Sequence, residues 1–342
     1  RLNGINGLGA IFPAMTNCTM ALYILNLKKE YNISKKSVKN LITNKKTYSY
    51  CQPCFSPIWD TGLNGLSLLE NGLTLNDAVI KKACNWLEKK QILNVNGDWS
   101  VNNKGLAPGG WAFQYENDFY PDVDDTAVVA MFLDRANYQN KEVVRKACDW
   151  IIGMQSKNGG WGAFDKDNTY HYLNNIPFAD HGALLDPPTA DVSARCVSML
   201  SQINKEKYKK TIKKGVEFLK NEQENNGSWF GRWGANYIYG TWSVLHALKA
   251  SGEDMNSNYI KKAIVWIKEK QNKDGGWGED CATYWKEKKN MPSIKSMPSQ
   301  TSWAILSLLI TEKISDSSIE KGVKFLKKNF DKRKLWVDNH FN

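Results

Sequence analysis

The stretch KKAIVWIKEKQNKDGGWGED at 261–280 recurs along the chain and decides its fold. Related copies begin at residues 81, 145 and 213, and a more divergent copy begins at residue 320. Each copy places a small residue three positions before an aromatic one, with an aliphatic residue next, which makes one apolar face of a helix. A Gln ends the helix, and Asn, Asp and Gly form a turn before a Trp. This repetition predicts an architecture built from one helical unit.

The Gln and Trp residues of the repeat are predicted to join neighbouring helices. A Gln amide can bond backbone groups left open at a neighbouring helix end, and the Trp ring can stack on it. We interpret these Trp side chains as buried structural residues and not as substrate contacts. The residues are Gln91, Gln155, Gln223 and Gln271, with Trp99, Trp161, Trp229 and Trp277.

A second set of helices lies between the repeat copies and is apolar along most of its length, as in DTAVVAMFLDRA at 125–136 and SQTSWAILSLLIT at 299–311. Such helices are expected to be buried on most sides, whereas the Lys-rich repeat helices are expected to lie outside. Alternating inner and outer helices predict an all-α fold of the α/α toroid type, a double ring of helices.

Composition narrows the classes of partner. The formal net charge is +11, but 40 Lys accompany only 6 Arg and 34 Asn, with no basic stripe interleaved with aromatics, so nucleic acid is not an expected partner. A weak attraction to anionic lipid surfaces stays open. Seven cysteines without framework spacing predict free thiols, and four scattered histidines do not suggest a zinc site.

Three carboxylates crowd into YPDVDDTAVVAMF at 120–132, directly before the apolar face of a helix. Asp122 or Asp124 can serve as a helix cap, which accounts for one of them. Asp125 completes the cluster. When carboxylates share a site, one is held protonated because both cannot easily ionise, and a neutral carboxyl at pH 7 can act as a general acid. The cluster therefore predicts acid catalysis.

Aromatic residues are expected to gather with this acid at the amino ends of the inner helices. Ring faces stabilise cations, so an acid with aromatic neighbours favours protonation of an alkene followed by carbocation rearrangement, although a plain aromatic core is the alternative. The aromatics in question are Trp59, Phe113, Phe119, Tyr120, Phe164, Trp233, Tyr237 and Tyr239.

The segments CQPCFSPIWDTGL, GGWAFQYENDFYPDVDDTAVVAMFLD, NNIPFADHGALLDPPTADVSAR and GSWFGRWGANYIYG, together with NGLGAIFPAM at 6–15, resemble the squalene–hopene cyclases, which are class II triterpene cyclases. The likeness runs across nearly the whole chain. It implies two α/α barrels, squalene as substrate, a hopene or hopanol product, and neither cofactor nor metal. It also implies peripheral, monotopic binding to one leaflet at the cytoplasmic face of a membrane, with a homodimer as one expected state.

The resemblance also implies roles for individual residues. Asp124 matches the acid that protonates a terminal alkene, and Asp122 and Asp125 match its supporting carboxylates. The matching pocket aromatics are Trp59, Phe113, Phe164, Trp233, Tyr239 and Phe12. Arg195 stands where some family members have a His beside the acid. Arg keeps the positive charge but does not relay a proton, so renewed protonation of the acid would need water. An i, i+4 ion pair with Asp191 is the alternative, but the place of Arg195 in the motif favours a functional role.

The expected domains are residues 1–50, the tail end of a second α/α barrel, and residues 51–342, a catalytic barrel incomplete at its C-terminus. From this we expect a partial or truncated cyclase that does not cyclise squalene by itself. Two other functions stay open, namely a non-catalytic relic of such a cyclase and an α/α-barrel glycosidase with paired carboxylates.

Overall fold

A computed structural model describes residues 11–176, 185–285, 291–330 and 336. The chain divides into two compact units. Unit 1 comprises Arg1–Gln155 and Ala163–Asp186, and unit 2 comprises Ser156–Gly162 and Pro187–Asn342. The predicted domain boundary after residue 50 stays a prediction. The described residues contain twelve α-helices and only four short strands, so the predicted all-α class is confirmed.

Unit 1 contains six of these helices and both pairs of strands. The helices are α1 (Phe12–Ile24), α2 (Lys28–Asn40), α3 (Pro57–Glu70), α4 (Ala78–Lys90), α5 (Val123–Arg135) and α6 (Lys141–Met154). The antiparallel pairs are β1 (Ile42–Asn44) with β2 (Ser49–Cys51), and β3 (Trp111–Ala112) with β4 (Pro121–Asp122).

The centre of unit 1 is α5, in which every residue from Val123 to Leu133 is buried. Helix α3 packs closely against it, because two glycines leave room for larger side chains. A Cβ atom at Gly62 would lie 2.8 Å from Val128, and one at Gly65 would lie 2.5 Å from the ring of Phe132. The predicted inner helix is therefore an inner helix of this unit.

Unit 2 contains the other six helices, which alternate between buried and amphipathic. They are α7 (Ala190–Asn204), α8 (Lys209–Asn221), α9 (Tyr237–Ser251), α10 (Asn258–Glu269), α11 (Pro298–Leu308) and α12 (Ser317–Asn329). Helices α7 and α9 are buried along most of their length, and the Lys residues of α8 are exposed. None of the described helices is long and apolar enough to cross a membrane.

The Gln at the end of an outer helix links that helix to the next outer helix. Its side-chain amide donates to the carbonyl of a turn glycine and to a carbonyl in the first turn of the following outer helix. The bonds are Gln91 to Gly109 and Val143 (2.8 and 2.9 Å), Gln223 to Gly227 and Tyr259 (2.8 and 2.9 Å), and Gln271 to Gly275 and Ser318 (both 2.8 Å).

The Trp that follows the turn is bonded at both ends. Its backbone N–H donates to a hydroxyl on an inner helix, and its ring N–H donates to a carbonyl near the end of an outer helix. The backbone bonds run from Trp111 to Thr126, Trp161 to Ser193, Trp229 to Thr241 and Trp277 to Thr301. The ring bonds run from Trp111 to Leu87, Trp229 to Leu219 and Trp277 to Ile267, at 2.6–2.7 Å.

These contacts correct the first copy of the repeat. The sequence predicts that Trp99 is its Trp, but Trp111 makes both bonds and follows Gly109, the glycine bonded by Gln91. The ring nitrogen of Trp99 is buried and has no hydrogen-bond partner in the described part of the chain. Residues 92–108 therefore form an insertion between the Gln and the glycine. The sequence GDW within this insertion resembles the end of the repeat in sequence only.

Candidate active site

Asp122 is the N-cap of α5 in unit 1. Its backbone is extended, with φ −101° and ψ 131°, and its Oδ1 accepts the backbone N–H groups of Asp124 (2.7 Å) and Asp125 (3.2 Å). Asp is a preferred residue at this position because its carboxylate satisfies amides that the helix leaves open. The cap that the sequence predicts for one member of the cluster is therefore Asp122.

Asp124 and Asp125 lie in the first turn of the same helix, and all three carboxyl groups are buried. The turn is fixed on both sides. The N–H of Val123 donates to the carbonyl of Ala163 at 2.8 Å, and the hydroxyl of Thr126 donates to the carbonyl of Asp122 at 2.6 Å. The amino end of a helix favours negative charge, but burial opposes it, so the cluster cannot carry three full charges at low cost.

The pKa of Asp122 is raised by burial and by a neighbouring charge. Burial first, and then the negative charge of Asp124, raise the pKa of Asp122 to about 8. The amide donors at Asp125 and Asp124 work in the opposite direction by stabilising the carboxylate, and Asp186 adds a further upward contribution. Both burial and the neighbouring carboxylate therefore favour the protonated form of Asp122, so the cluster holds a proton at neutral pH.

Asp186 is a site residue that the sequence reasoning missed. Its Oδ1 accepts the N–H of Ala163 (3.0 Å), and its Oδ2 accepts those of Phe164 (2.6 Å) and Asp165 (2.8 Å). Burial raises the pKa of Asp186, and these three amides oppose the rise. Asp186 thus fixes the backbone of Phe164, one of the predicted pocket aromatics, and acts electrostatically on Asp122.

Unit 2 holds Arg195 among aromatic rings. The buried guanidinium of Arg195 donates to the hydroxyl of Tyr239 at 3.0 Å and lies 5.4 Å from the ring centre of Trp242. The ring of Tyr239 meets Trp303 at 5.0 Å and Trp242 at 5.6 Å, and these two Trp rings stack at 6.1 Å. Trp242 and Trp303 were not among the predicted site residues, although they occur in the apolar inner helices that the sequence identifies.

Asp191 accepts hydrogen bonds from several groups around it, and its alternative role as the ion-pair partner of Arg195 stays a prediction. The Oδ1 of Asp191 accepts the hydroxyl of Thr189 (2.6 Å) and the N–H of Val192 (3.0 Å), and its Oδ2 accepts the N–H of Trp233 (2.8 Å). Asp191 therefore positions the backbone of Trp233, whose side chain is 50% exposed. A supporting role of Arg195 for the acid stays a prediction.

Tyr237, from the wider predicted set, is the first residue of α9 in unit 2. The other aromatics that the family resemblance implies for the pocket are all in unit 1. Trp59 lies half-buried in the first turn of α3, and Phe113 and Phe164 are half-buried in the segments after β3 and before Asp165. Phe12 is the first residue of α1, is 38% exposed, and donates its N–H to the carbonyl of Pro53 at 2.7 Å. Their assignment to one substrate pocket stays a prediction.

Several known proteins are similar to this chain in sequence or in fold. Residues 55–342 match the family described as the squalene-hopene cyclase C-terminal domain. The squalene–hopene cyclase of Zymomonas mobilis subsp. mobilis is 48% identical and that of Schizosaccharomyces japonicus is 47% identical, each over 100% of this chain and 54% of the relative. This chain thus spans about half the length of the curated relatives it matches.

A solved type II terpene cyclase from Scytonema has the same fold, with a TM-score of 0.54 at 16% identity over 86% of this chain and 75% of that protein. At this identity the likeness concerns the fold alone, and it confirms the predicted class, an all-α fold of the α/α toroid type. The buried Asp cluster lies within the matched C-terminal domain. From its sequence and its fold, this chain belongs to the squalene–hopene cyclase family.

Proposed function

We propose that this chain carries the general acid of a triterpene cyclase, and that Asp124 protonates a terminal alkene of squalene to start cyclisation. The observation that carries the proposal is the burial of Asp122 and Asp124 side by side at the amino end of α5, where the pKa of Asp122 is raised to about 8. Support for the substrate comes from relatives named squalene–hopene cyclase at 47–48% identity.

The hydrogen bonds of Asp122 support the choice of Asp124 as the acid. Two backbone amides donate to the Oδ1 of Asp122 and stabilise its ionised form. We propose that the proton held by the cluster moves to Asp124 for catalysis, because the two amide donors stabilise the Asp122 carboxylate and the family resemblance matches Asp124 to the acid. A buried carboxyl that stays protonated near pH 7 is suited to general acid catalysis.

The proposed chemistry is a proton transfer followed by ring closures. The O–H bond of Asp124 breaks, and the π electrons of the terminal alkene form a C–H bond with that proton, which leaves a tertiary carbocation and an Asp124 carboxylate. Each following alkene donates its π electrons to the cation. Transfer of a proton from the last cation to water gives a hopene-type product. Addition of water to that cation, followed by loss of one proton from the added oxygen to a second water, gives a hopanol-type product.

Cation stabilisation is assigned to aromatic faces. Tyr239, Trp242 and Trp303 meet one another at 5.0–6.1 Å on inner helices of unit 2. Aromatic rings attract cations through their negative faces, most strongly where water is excluded. The proposal extends this role to Trp59, Phe113, Phe164, Trp233 and Phe12, on the family resemblance.

Where the protein works is also a proposal. Squalene is a hydrocarbon and partitions into the apolar part of a bilayer. We propose peripheral binding to one leaflet at the cytoplasmic face of a membrane, with a homodimer as the assembled state. Both rest on the family resemblance.

The glycosidase alternative loses support, because this chain belongs to the squalene–hopene cyclase family and the relatives reported above are named squalene–hopene cyclase. A non-catalytic relic is the remaining competitor. The two are separated by gas chromatography and mass spectrometry of lipids from squalene-fed cells that express the locus. We expect a pentacyclic product that is absent from cells without the locus. A relic gives no such product.

The acid is tested by Asp124→Asn, with Asp134→Asn as the matched control at the other end of the same helix. We expect Asp124→Asn to abolish the product while the melting temperature stays close to that of the wild type, because Asn keeps the shape but has no acidic proton. Asp134→Asn should keep the product. Normal product from Asp124→Asn would refute the assignment.

A further inference from the structure

Residues 231–236 form a loop in unit 2 that carries Trp233 and leads into α9. We refer to it as the 231–236 loop. It has no regular secondary structure, so its backbone groups need partners from elsewhere. Side chains supply these partners, and most of them come from a segment more than forty residues later in the sequence.

Carboxylates and an amide hold the N–H groups of the loop. Asp191 accepts the N–H of Trp233 at 2.8 Å, and the side-chain oxygen of Asn236 accepts the N–H of Gly231 at 3.2 Å. Glu279 accepts the N–H of Asn236 at 3.4 Å and that of Ile238 at 2.9 Å, which also caps the start of α9. Glu279 and Asn236 are buried, so their geometry is fixed by packing.

The carbonyl groups of the loop surround the hydroxyl of Tyr284. The Tyr284 oxygen lies 2.9 Å from the carbonyl oxygen of Gly231, 2.8 Å from that of Gly234 and 3.3 Å from that of Arg232. Gln300 donates to the carbonyl of Ala235 at 2.9 Å. A single hydroxyl placed among three carbonyls holds the curvature of the loop, because it can donate to whichever carbonyl is nearest.

The loop in turn determines the surroundings of Tyr239. A Cβ atom at Gly234 would lie 2.5 Å from the ring of Tyr239, so the backbone there rests directly on that ring. Any movement of the loop changes both the direction of Trp233 and the space around Tyr239. Tyr239 also accepts the hydrogen bond from Arg195.

We propose that Tyr284 is a positioning residue for the cyclisation pocket, acting through the 231–236 loop on Trp233 and Tyr239. The claim that these two rings face the substrate rests on the proposed function. The claim that Tyr284 fixes the loop rests on the hydrogen bonds alone, so the two can be tested separately.

The first test is hydrogen exchange of Tyr284→Phe, followed by mass spectrometry of peptides that cover the loop. The variant keeps the ring, which packs edge-on against Phe230 at 5.6 Å, and removes only the hydroxyl. We expect the amides of the loop to exchange about fivefold faster, the factor that corresponds to loss of one ordinary hydrogen bond. The matched control is Tyr259→Phe, which removes a hydroxyl that donates to Glu253. Tyr259 lies on α10, an outer helix of the same unit. Unchanged loop exchange in Tyr284→Phe overturns the proposal.

The second test compares products from squalene. We expect Tyr284→Phe to release a larger share of partly cyclised products, while its melting temperature falls no further than that of Tyr259→Phe, whose products should match those of the wild type. Faster loop exchange with an unchanged product pattern overturns the proposal, because the loop would then not position the pocket. These products are measured in squalene-fed cells that express the locus. If the wild-type locus forms no cyclised product there, the proposed function fails, and the exchange result alone decides the role of Tyr284.

Discussion

Two buried Trp residues of unit 1 provide a matched test of how the repeat is fastened. Trp111 and Trp99 are 0% and 2% exposed, so both are core residues of the same unit. The ring N–H of Trp111 donates to the carbonyl of Leu87 at 2.7 Å, whereas that of Trp99 has no partner among the described residues. The substitutions Trp111→Phe and Trp99→Phe therefore remove the same atoms. Only Trp111→Phe also removes a hydrogen bond.

The difference in cost follows from the position of Leu87. Its carbonyl is among the last four of α4, which lack a partner inside the helix, so the Trp111 ring supplies the missing donor. A buried carbonyl left without its donor costs about 1–3 kcal/mol. The volume lost from Trp to Phe is common to both variants and cancels in the comparison. We expect Trp111→Phe to be less stable than Trp99→Phe by about 1–3 kcal/mol.

The measurement is chemical denaturation followed by far-ultraviolet circular dichroism, supported by thermal melting. Each kcal/mol corresponds to about 2–4 °C in a domain of this size. Equal costs for the two variants would refute the reasoning, and a larger cost for Trp99→Phe would restore Trp99 as the Trp of the first repeat copy.

Three further predictions concern charge and packing. Burial raises the folded pKa of Asp122 to about 8, so the folded state holds a proton that the unfolded state releases near pH 4, and wild-type stability should fall as pH rises between these values. Asp122→Asn, which keeps a capping oxygen, should lose this part of the pH dependence in thermal melts, and parallel curves for both proteins would contradict it. Arg195→Leu should lower product formation and Arg195→His should retain part of it, because imidazolium supplies the same charge; wild-type turnover in both variants would end this assignment. Trp277→Ala should cost about 3–5 kcal/mol in denaturation without changing the product, because Trp277 is fully buried. Trp285→Ala, at a side chain that is 63% exposed, should stay within about 0.5 kcal/mol, and similar costs at both positions would disprove the burial argument.

The helices could be predicted from the sequence because their signals are local. A small residue three positions before an aromatic one, as at Ala263 and Trp266, marks one face of a helix, and both are buried as expected.

The wrong assignment of Trp99 has a physical cause. Both GDW at 97–99 and GGW at 109–111 follow Gln91, and only the bond from Gln91 to Gly109 shows which glycine belongs to the repeat.

The candidate site was predictable to the same extent. The capping role of one carboxylate at 122–125 follows from local chain geometry, so the sequence indicates it. Asp186 bonds amides at 163–165 across more than twenty residues, and such a tertiary contact has no local signal. Trp242 and Trp303 look like ordinary core residues of apolar helices, and only the ring distances identify them as neighbours of Tyr239.

The insertion at 92–108 has a consequence for how this fold can diverge. From Gln to its turn glycine the chain takes four residues at 223–227 and 271–275, but eighteen at 91–109, and the amide bond is 2.8 Å long in each case. The connection depends on the two endpoints and not on the length of chain between them. Evolution can therefore lengthen or rebuild this segment while the helices keep their places, and a laboratory graft of a foreign loop has a natural attachment point between Gln91 and Gly109.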